Sequence, residues 1–388
     1  MIGMLLRCFA RRSWSPAKVG SIFLIPCSIL GASPAEALAK EGSIFAFVLS
    51  PRLTDQSPPS PVIQTQQKEV VCFIYHRFGD HRYPTTNTPV KDFEDHLKYL
   101  EKNKFRILTF SEAVDYLKSD EPAQKTAVIT VDDGYKSFFK NGLPLLKKHH
   151  MRATLFINTE TIGGSDMMNW DELKEAMSSQ VEIGNHTHSH AFFLNENTAT
   201  RHETFRKEIE LSQSIIKEHL KITPEVFTFP YGEFDPEMKA IVRKLGFKAA
   251  AAQNSGVLHP GSDLFMCPRF PMSEAYSPRD KFIEKASMHA LKIVRQTPDS
   301  FIAPDRQPLL TLTIDNTGLR MSQLRCFVQG GTGTLKIVET KGHETTVTIR
   351  ANQPLGKRRV LYTITAPDDQ GQWHWFSHVW ISPYKKDE

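Results

Sequence analysis

Six consecutive residues, Val70-Val71-Cys72-Phe73-Ile74-Tyr75, are apolar without a break and bounded by polar neighbours, the pattern of a strand buried on both faces. Further apolar runs follow at residues 127–131, 153–157, 181–184, 226–229 and 248–252, and longer amphipathic segments at 136–149, 171–177, 202–220 and 236–245 separate them. Another helical face is set by Phe93, Leu97 and Leu100. Short buried strands alternating with helices have few solutions, a parallel sheet or a barrel wrapped by helices. In such folds the working residues gather where strands end and loops begin.

Beyond about residue 297 the texture changes to β-branched runs with turn residues between them, at 309–314, 324–328, 335–338, 345–349, 360–365 and 373–381. Their spacing predicts a small β-sandwich. Two folded units are therefore expected, an α/β unit over residues 69–297 and an all-β unit over 298–388. Alternation within the last run places Trp373 and Trp375 on one face and Phe376 and Trp380 on the other, so one pair belongs to a core. The other could stack on sugar rings, as aromatic faces do.

The N-terminus has the three-part layout of a secretory leader over residues 1–39: cationic to Lys18, apolar from 19 to 31, then Ala35, Ala37 and Ala39. The apolar run is shorter than the roughly 20 residues of a spanning helix. The chain is thus expected to be exported to the periplasm, cell surface or medium, with no stable membrane span once the leader is cleaved. A lipid anchor at Cys27 fits poorly, because Pro26 precedes it. Residues 40–68 read as a solvated linker, rich in Pro, Ser, Thr and Gln from Ser50 to Gln67. Past the leader only Cys72, Cys267 and Cys326 remain, which is no disulfide framework. The net charge of +5 is partly carried by the chain ends and gives no case for nucleic acid.

Three polar clusters stand at strand ends. In Thr130-Val131-Asp132-Asp133-Gly134 two carboxylates leave a buried strand, which is costly unless their charge is used, although paired aspartates also cap helices. In Asn185-His186-Thr187-His188-Ser189-His190 the imidazoles of His186 and His190, four apart, can converge on one ion if the loop turns helically, leaving His188 facing away. With Asp133 they form a two-histidine, one-carboxylate set with room for water and substrate, suited to zinc and also to cobalt or nickel. The third cluster, Phe227-Thr228-Phe229-Pro230-Tyr231-Gly232, is by itself ordinary turn chemistry.

Together, and in this order, a Thr-x-Asp-Asp-Gly strand end, a His-Thr-x-x-His and a Pro-Tyr-Gly turn resemble the motifs of the polysaccharide deacetylases, carbohydrate esterase family 4. The resemblance runs from about Glu69 to Leu291. It implies a distorted (β/α) barrel of the polysaccharide deacetylase type as catalytic domain over 69–297, with the small all-β sandwich-like unit over 298–388 outside it as a C-terminal accessory domain. It also implies Asp132 as general base, Asp133, His186 and His190 as ligands of a divalent ion, and the Tyr231 backbone N–H as oxyanion donor. The implied substrate is an N-acetylated amino sugar in a polysaccharide.

Two departures qualify the likeness. A leucine-x-histidine motif that supplies the proton for the leaving amine is missing, since Leu258-His259 runs into Pro260 and Met288-His289 lies in a helical pattern. Tyr75-His76 instead resembles the biofilm poly-N-acetylglucosamine deacetylase subgroup, which implies His76 as the acid ahead of His259 or His289. Where many members carry an arginine before the Pro-Tyr pair this chain has Thr228 and Phe229, and Arg269 could supply the charge. Two other readings stay open: a non-catalytic polysaccharide-binding protein on the same barrel, and a hydrolase of small amides.

Overall fold

The computed structural model describes residues 67–383 and 385, so the expected leader and nearly all of the expected linker lie outside the described residues. The α/β unit is built on β1 (Val70–Tyr75), β2 (Thr126–Asp133), β3 (Ala153–Ile157), β4 (Val181–Asn185), β5 (Val226–Thr228), β6 (Ala249–Ala251) and β7 (Phe270–Pro271). Strands β1 to β6 lie side by side in chain order, each parallel to the next. Strand β7 returns beside β1, and Cys267 bridges to Ala251 of β6, so the curled sheet meets itself through the stretch from Cys267 to Pro271. This is the distorted barrel expected.

Burial on both faces explains why these strands read as unbroken apolar runs. Val71, Phe73 and Tyr75 enter one core cluster with Ala127, Ile129 and Val131, whereas Val70 and Cys72 enter another with Val128, Phe156 and Cys267. The helices outside are set by local chemistry. Asn169 and Glu172 close a reciprocal capping box on helix Trp170–Ser178, and Asp235 caps helix Pro236–Lys244 with a proline in its first turn. The helix expected over 136–149 forms with a π-helical turn at Phe138–Gly142, because Pro144 has no N–H to continue the regular ladder.

The remainder folds as two facing sheets. One contains Ile293–Thr297, Leu309–Asp315, Glu344–Ala351 and Gly333–Lys341; the other contains His289–Ala290, Trp373–Ile381, Arg359–Pro367 and Arg325–Val328. Leu310, Leu312, Ile349, Tyr362 and Trp380 lie in the core between them.

Strand Trp373–Ile381 belongs to both units. Phe376 and Trp380 face the sandwich core, while Trp373 and Trp375 pack on the barrel core and Val379 and Ile381 on an apolar cluster with Phe229 and Phe234. The predicted alternation holds, and both aromatic pairs are packed.

Candidate active site

The paired aspartates end β2 and then part company. Asp132 keeps the strand alternation with Thr130, and both are fully buried. Arg269, also fully buried, pairs with both carboxylate oxygens of Asp132 at 2.7 and 2.9 Å. It also donates to the Thr130 hydroxyl at 3.0 Å, the Thr228 hydroxyl at 2.8 Å and the Ala252 carbonyl at 3.0 Å. A guanidinium has five N–H donors, and all of them are engaged here. The threonine that stands where an arginine was expected is thus part of the cradle for an arginine arriving from the closing segment.

Asp133 has a left-handed backbone with φ 75°, which breaks the alternation and sends its carboxylate elsewhere. Its Oδ1 lies 3.4 Å from His186 Nε2 and 3.5 Å from His190 Nε2, and the two imidazole nitrogens are 3.0 Å apart. A tetrahedral zinc with bonds of about 2.0–2.1 Å places its ligands roughly 3.3 Å from one another, so this triangle fits such an ion. Among the described residues these three form the one cluster of its kind.

The local chemistry favours the ligand state. The Nδ1–H of His186 donates to the Thr228 carbonyl at 2.8 Å, which leaves Nε2 to face the other two ligands. Burial and the neighbouring His186 push His190 down to about 4, so its imidazole is neutral. Burial pushes the Asp133 carboxyl up, but the imidazoles of His186 and His76 beside it outweigh this and hold it well below the usual carboxylate range.

The histidine loop does not turn helically. Thr187 and His190 take φ values of 67° and 55°, and Asn185 accepts from the Thr187 N–H at 2.8 Å, so a left-handed turn brings His190 back beside His186. His188 faces away, with its Nδ1 2.9 Å from the Thr159 hydroxyl. Tyr231 is left-handed as well, φ 58°, and its ring stacks on Phe192 at 3.5 Å between centroids. Non-glycine residues in this region are strained and gather at functional sites.

These residues open on a cleft of about 1150 Å³ lined by His76, Asp133, His186, His190, Tyr231 and Arg269. Asp132, fully buried, is not among its lining residues. His76 is brought to the cleft by the C-terminal end of β1. The other two candidate acids are not: His289 lies 2.6 Å from Glu69, the residue preceding β1, and His259 follows Leu258, which pairs with Val70. Both sit at the far end of a strand that spans about 20 Å.

Sequence reasoning missed the opposite wall. Gln329, Arg359, Thr363 and Trp375 of the sandwich line the same cleft, and Trp375 donates its indole N–H to Ser255 at 2.9 Å. Nothing in the composition of residues 325–375 ties them to a site upstream, and only packing reveals it.

Residues 119–250 match the family model of the polysaccharide deacetylases. The chain is 25% identical over 272 residues to "Putative polysaccharide deacetylase YxkH" of Bacillus subtilis, covering 66% of this chain and 94% of that one. It is 25% identical over 213 residues to a poly-beta-1,6-N-acetyl-D-glucosamine N-deacetylase of Staphylococcus aureus, covering 52% of this chain and 73% of that one. Among solved structures, a Streptococcus pyogenes deacetylase, PplD, in complex with acetate superposes with a TM-score of 0.52 at 18% identity, covering 57% of this chain and 99% of that one. A polysaccharide deacetylase from Bacillus cereus superposes with a TM-score of 0.50 at 20% identity, covering 57% and 69%. The likeness to both structures is one of fold.

Proposed function

From the premise that this chain is a polysaccharide deacetylase, we propose that it removes acetyl groups from N-acetylglucosamine-type residues of an extracytoplasmic polysaccharide. The observation that carries the reading is the triangle of Asp133, His186 and His190 beside a carboxylate that Arg269 fixes on both oxygens. A divalent ion held by the three, zinc first and cobalt or nickel next, would supply a Lewis acid for the amide carbonyl and lower the pKa of its bound water.

The protein's own groups do the rest. Asp132, oriented by Arg269, takes the proton of the attacking water as general base. The Tyr231 backbone N–H faces the developing oxyanion from its left-handed turn. His76 gives a proton to the departing amine, and its place at the cleft supports this over His259 and His289.

A β-1,6-linked N-acetylglucosamine polymer is the preferred substrate in this reading, supported by the Tyr75-His76 pair and by the activity named for the Staphylococcus aureus relatives. The leader pattern supports action outside the cytoplasm; among the described residues no helix is long and apolar enough to cross a membrane.

The test is acetate release from a panel of N-acetylglucosamine polymers by the leaderless protein, before and after chelation and zinc readdition. Release that disappears on chelation and returns with zinc is expected. No release from any polymer by metal-loaded protein would leave a binding role instead.

A further inference from the structure

The Pro230-Tyr231-Gly232 turn is held from outside the family-matched segment. Glu233, the next residue, is buried and paired with Arg358 of the sandwich: Nε and Nη2 of Arg358 donate to its two carboxylate oxygens, each at 2.7 Å. Nη1 of the same guanidinium donates to the carbonyls of Pro383 and Lys385 at 2.7 and 2.8 Å. Its cation lies 4.9 Å from the Phe192 ring, which stacks on Tyr231 with 7° between the planes, and Tyr231 in turn meets His190 edge-on at 4.5 Å. A layered series therefore leads from Arg358 through Phe192 and Tyr231 to His190.

The turn needs such support. Tyr231 at φ 58° and Gly232 at φ 68° are successive left-handed residues, and tyrosine is disfavoured there unless its surroundings over-determine the conformation. Gly232 has no alternative, because a Cβ would come within 2.5 Å of Gln253. The turn's own hydrogen bonds, Gly232 N–H to the Phe229 carbonyl at 2.9 Å and Glu233 N–H to the Pro230 carbonyl at 3.0 Å, fix its ends but not its place in the cleft.

We propose that Arg358, acting through Glu233 and Phe192, is a positioning residue for the Tyr231 turn, so that the C-terminal sandwich completes the active site of the deacetylase. The role rests on the reading above, in which Tyr231 offers its N–H to the oxyanion. Arg358 is 3% exposed, and all three of its guanidinium nitrogens are engaged by Glu233 and backbone carbonyls, so it acts through its neighbours.

The test uses the full chain without its leader. Removing Glu233 alone would leave the Arg358 guanidinium buried without a carboxylate, and removing Arg358 alone would leave Glu233 only Arg359, at 3.3 Å; either change can prevent folding, whereas replacing both by apolar residues of similar size is often neutral. The double variant Glu233→Met/Arg358→Met is therefore compared with the parent for metal content, amide hydrogen exchange and kinetics. Expected are unchanged metal content, exchange at the Gly232 and Glu233 amides faster by at least about tenfold, and kcat lower by about tenfold with KM within about threefold. A folded double variant with exchange and kcat both within about twofold of the parent would overturn the proposal. Should the double variant not fold, Arg358→Lys decides in the same way, with a kcat loss of about threefold and faster exchange confined to the turn expected, and parental values counting against. If the parent releases no acetate the deacetylase reading fails, while the exchange comparison still judges the positioning role.

Discussion

Arg269 grips both carboxylate oxygens of Asp132 although 137 residues separate them in sequence. The arginine sits where the sheet closes on itself, so closing the barrel and orienting the proposed base are one structural event. Arg269→Met should leave a buried carboxylate without its partner and lower stability by about 3–5 kcal/mol. Denaturant unfolding of the variant against the parent measures this, and a loss under about 1 kcal/mol would mean that the Asp132 carboxylate does not depend on this partner for its burial.

The adjacent aspartates should separate cleanly by mutation. Asp132→Asn is expected to retain the metal and lose turnover by about 10²–10⁴-fold. Asp133→Ala and His186→Ala should lose the metal itself. Metal analysis after dialysis, set beside acetate release, tells the two behaviours apart, and equal metal loss in all three would erase the distinction.

For the amine, His76→Ala should lower kcat by about 10²–10⁴-fold with metal content preserved. His259→Gln and His289→Gln should stay within about threefold of the parent, since both lie at the opposite end of β1. A collapse of kcat in His289→Gln with an active His76→Ala would reverse the assignment.

Buried neutral histidines make the fold acid-labile. Burial pushes His96 down to about 4 and His378 down to about 3. Both take up a proton near pH 6.5 when unfolded, so the unfolded chain binds more protons below that value. Their stabilisation is complete above about pH 6.5 and is lost as pH falls toward 4, by about 1.4 kcal/mol per unit for each group. His289, raised by Glu69, works in the opposite direction and offsets part of the loss. Thermal unfolding should therefore occur at lower temperature at pH 5 than at pH 7.5; identical midpoints would show that these imidazoles titrate alike in both states.

A chain ending after Thr297 should fail to fold stably rather than survive as a trimmed enzyme. It would lose Trp375 and Ser377, the partners of Ser255, and leave Glu233 buried without Arg358. Circular dichroism and metal content of the shortened chain check this. A folded, metal-loaded fragment active on short oligomers would make the sandwich a true accessory.

What the sequence made legible was periodicity and local chemistry. The apolar run at Val70 and the carboxylates and imidazoles at strand ends pointed to the barrel and the ligand triangle, because each signal lies within a few residues. Two kinds of feature stayed hidden. The left-handed backbone at Asp133, His190 and Tyr231 has no compositional mark, since these are not the glycines that usually take it. Contacts of long range, Arg269 with Thr228 and Arg358 with Glu233, follow from how sheet and sandwich meet. For Trp375, alternation alone gives a face but not a neighbour; the structure packs it on the barrel core and also sets it on the wall of the cleft.

Strand Trp373–Ile381 is made well after the family-matched residues 119–250, yet it underlies both units. A ribosome finishes the family-matched residues 119–250 long before it reaches Arg358 and this strand. Until then Asp133, His186 and His190 have all been synthesised while the Tyr231 turn lacks its proposed anchor and the barrel lacks the cover of Trp373 and Trp375. On the proposed role of Arg358, competence would therefore arrive only once residues 358–381 are made, and a chain terminated before them would carry the family-matched segment without the anchor of its Tyr231 turn.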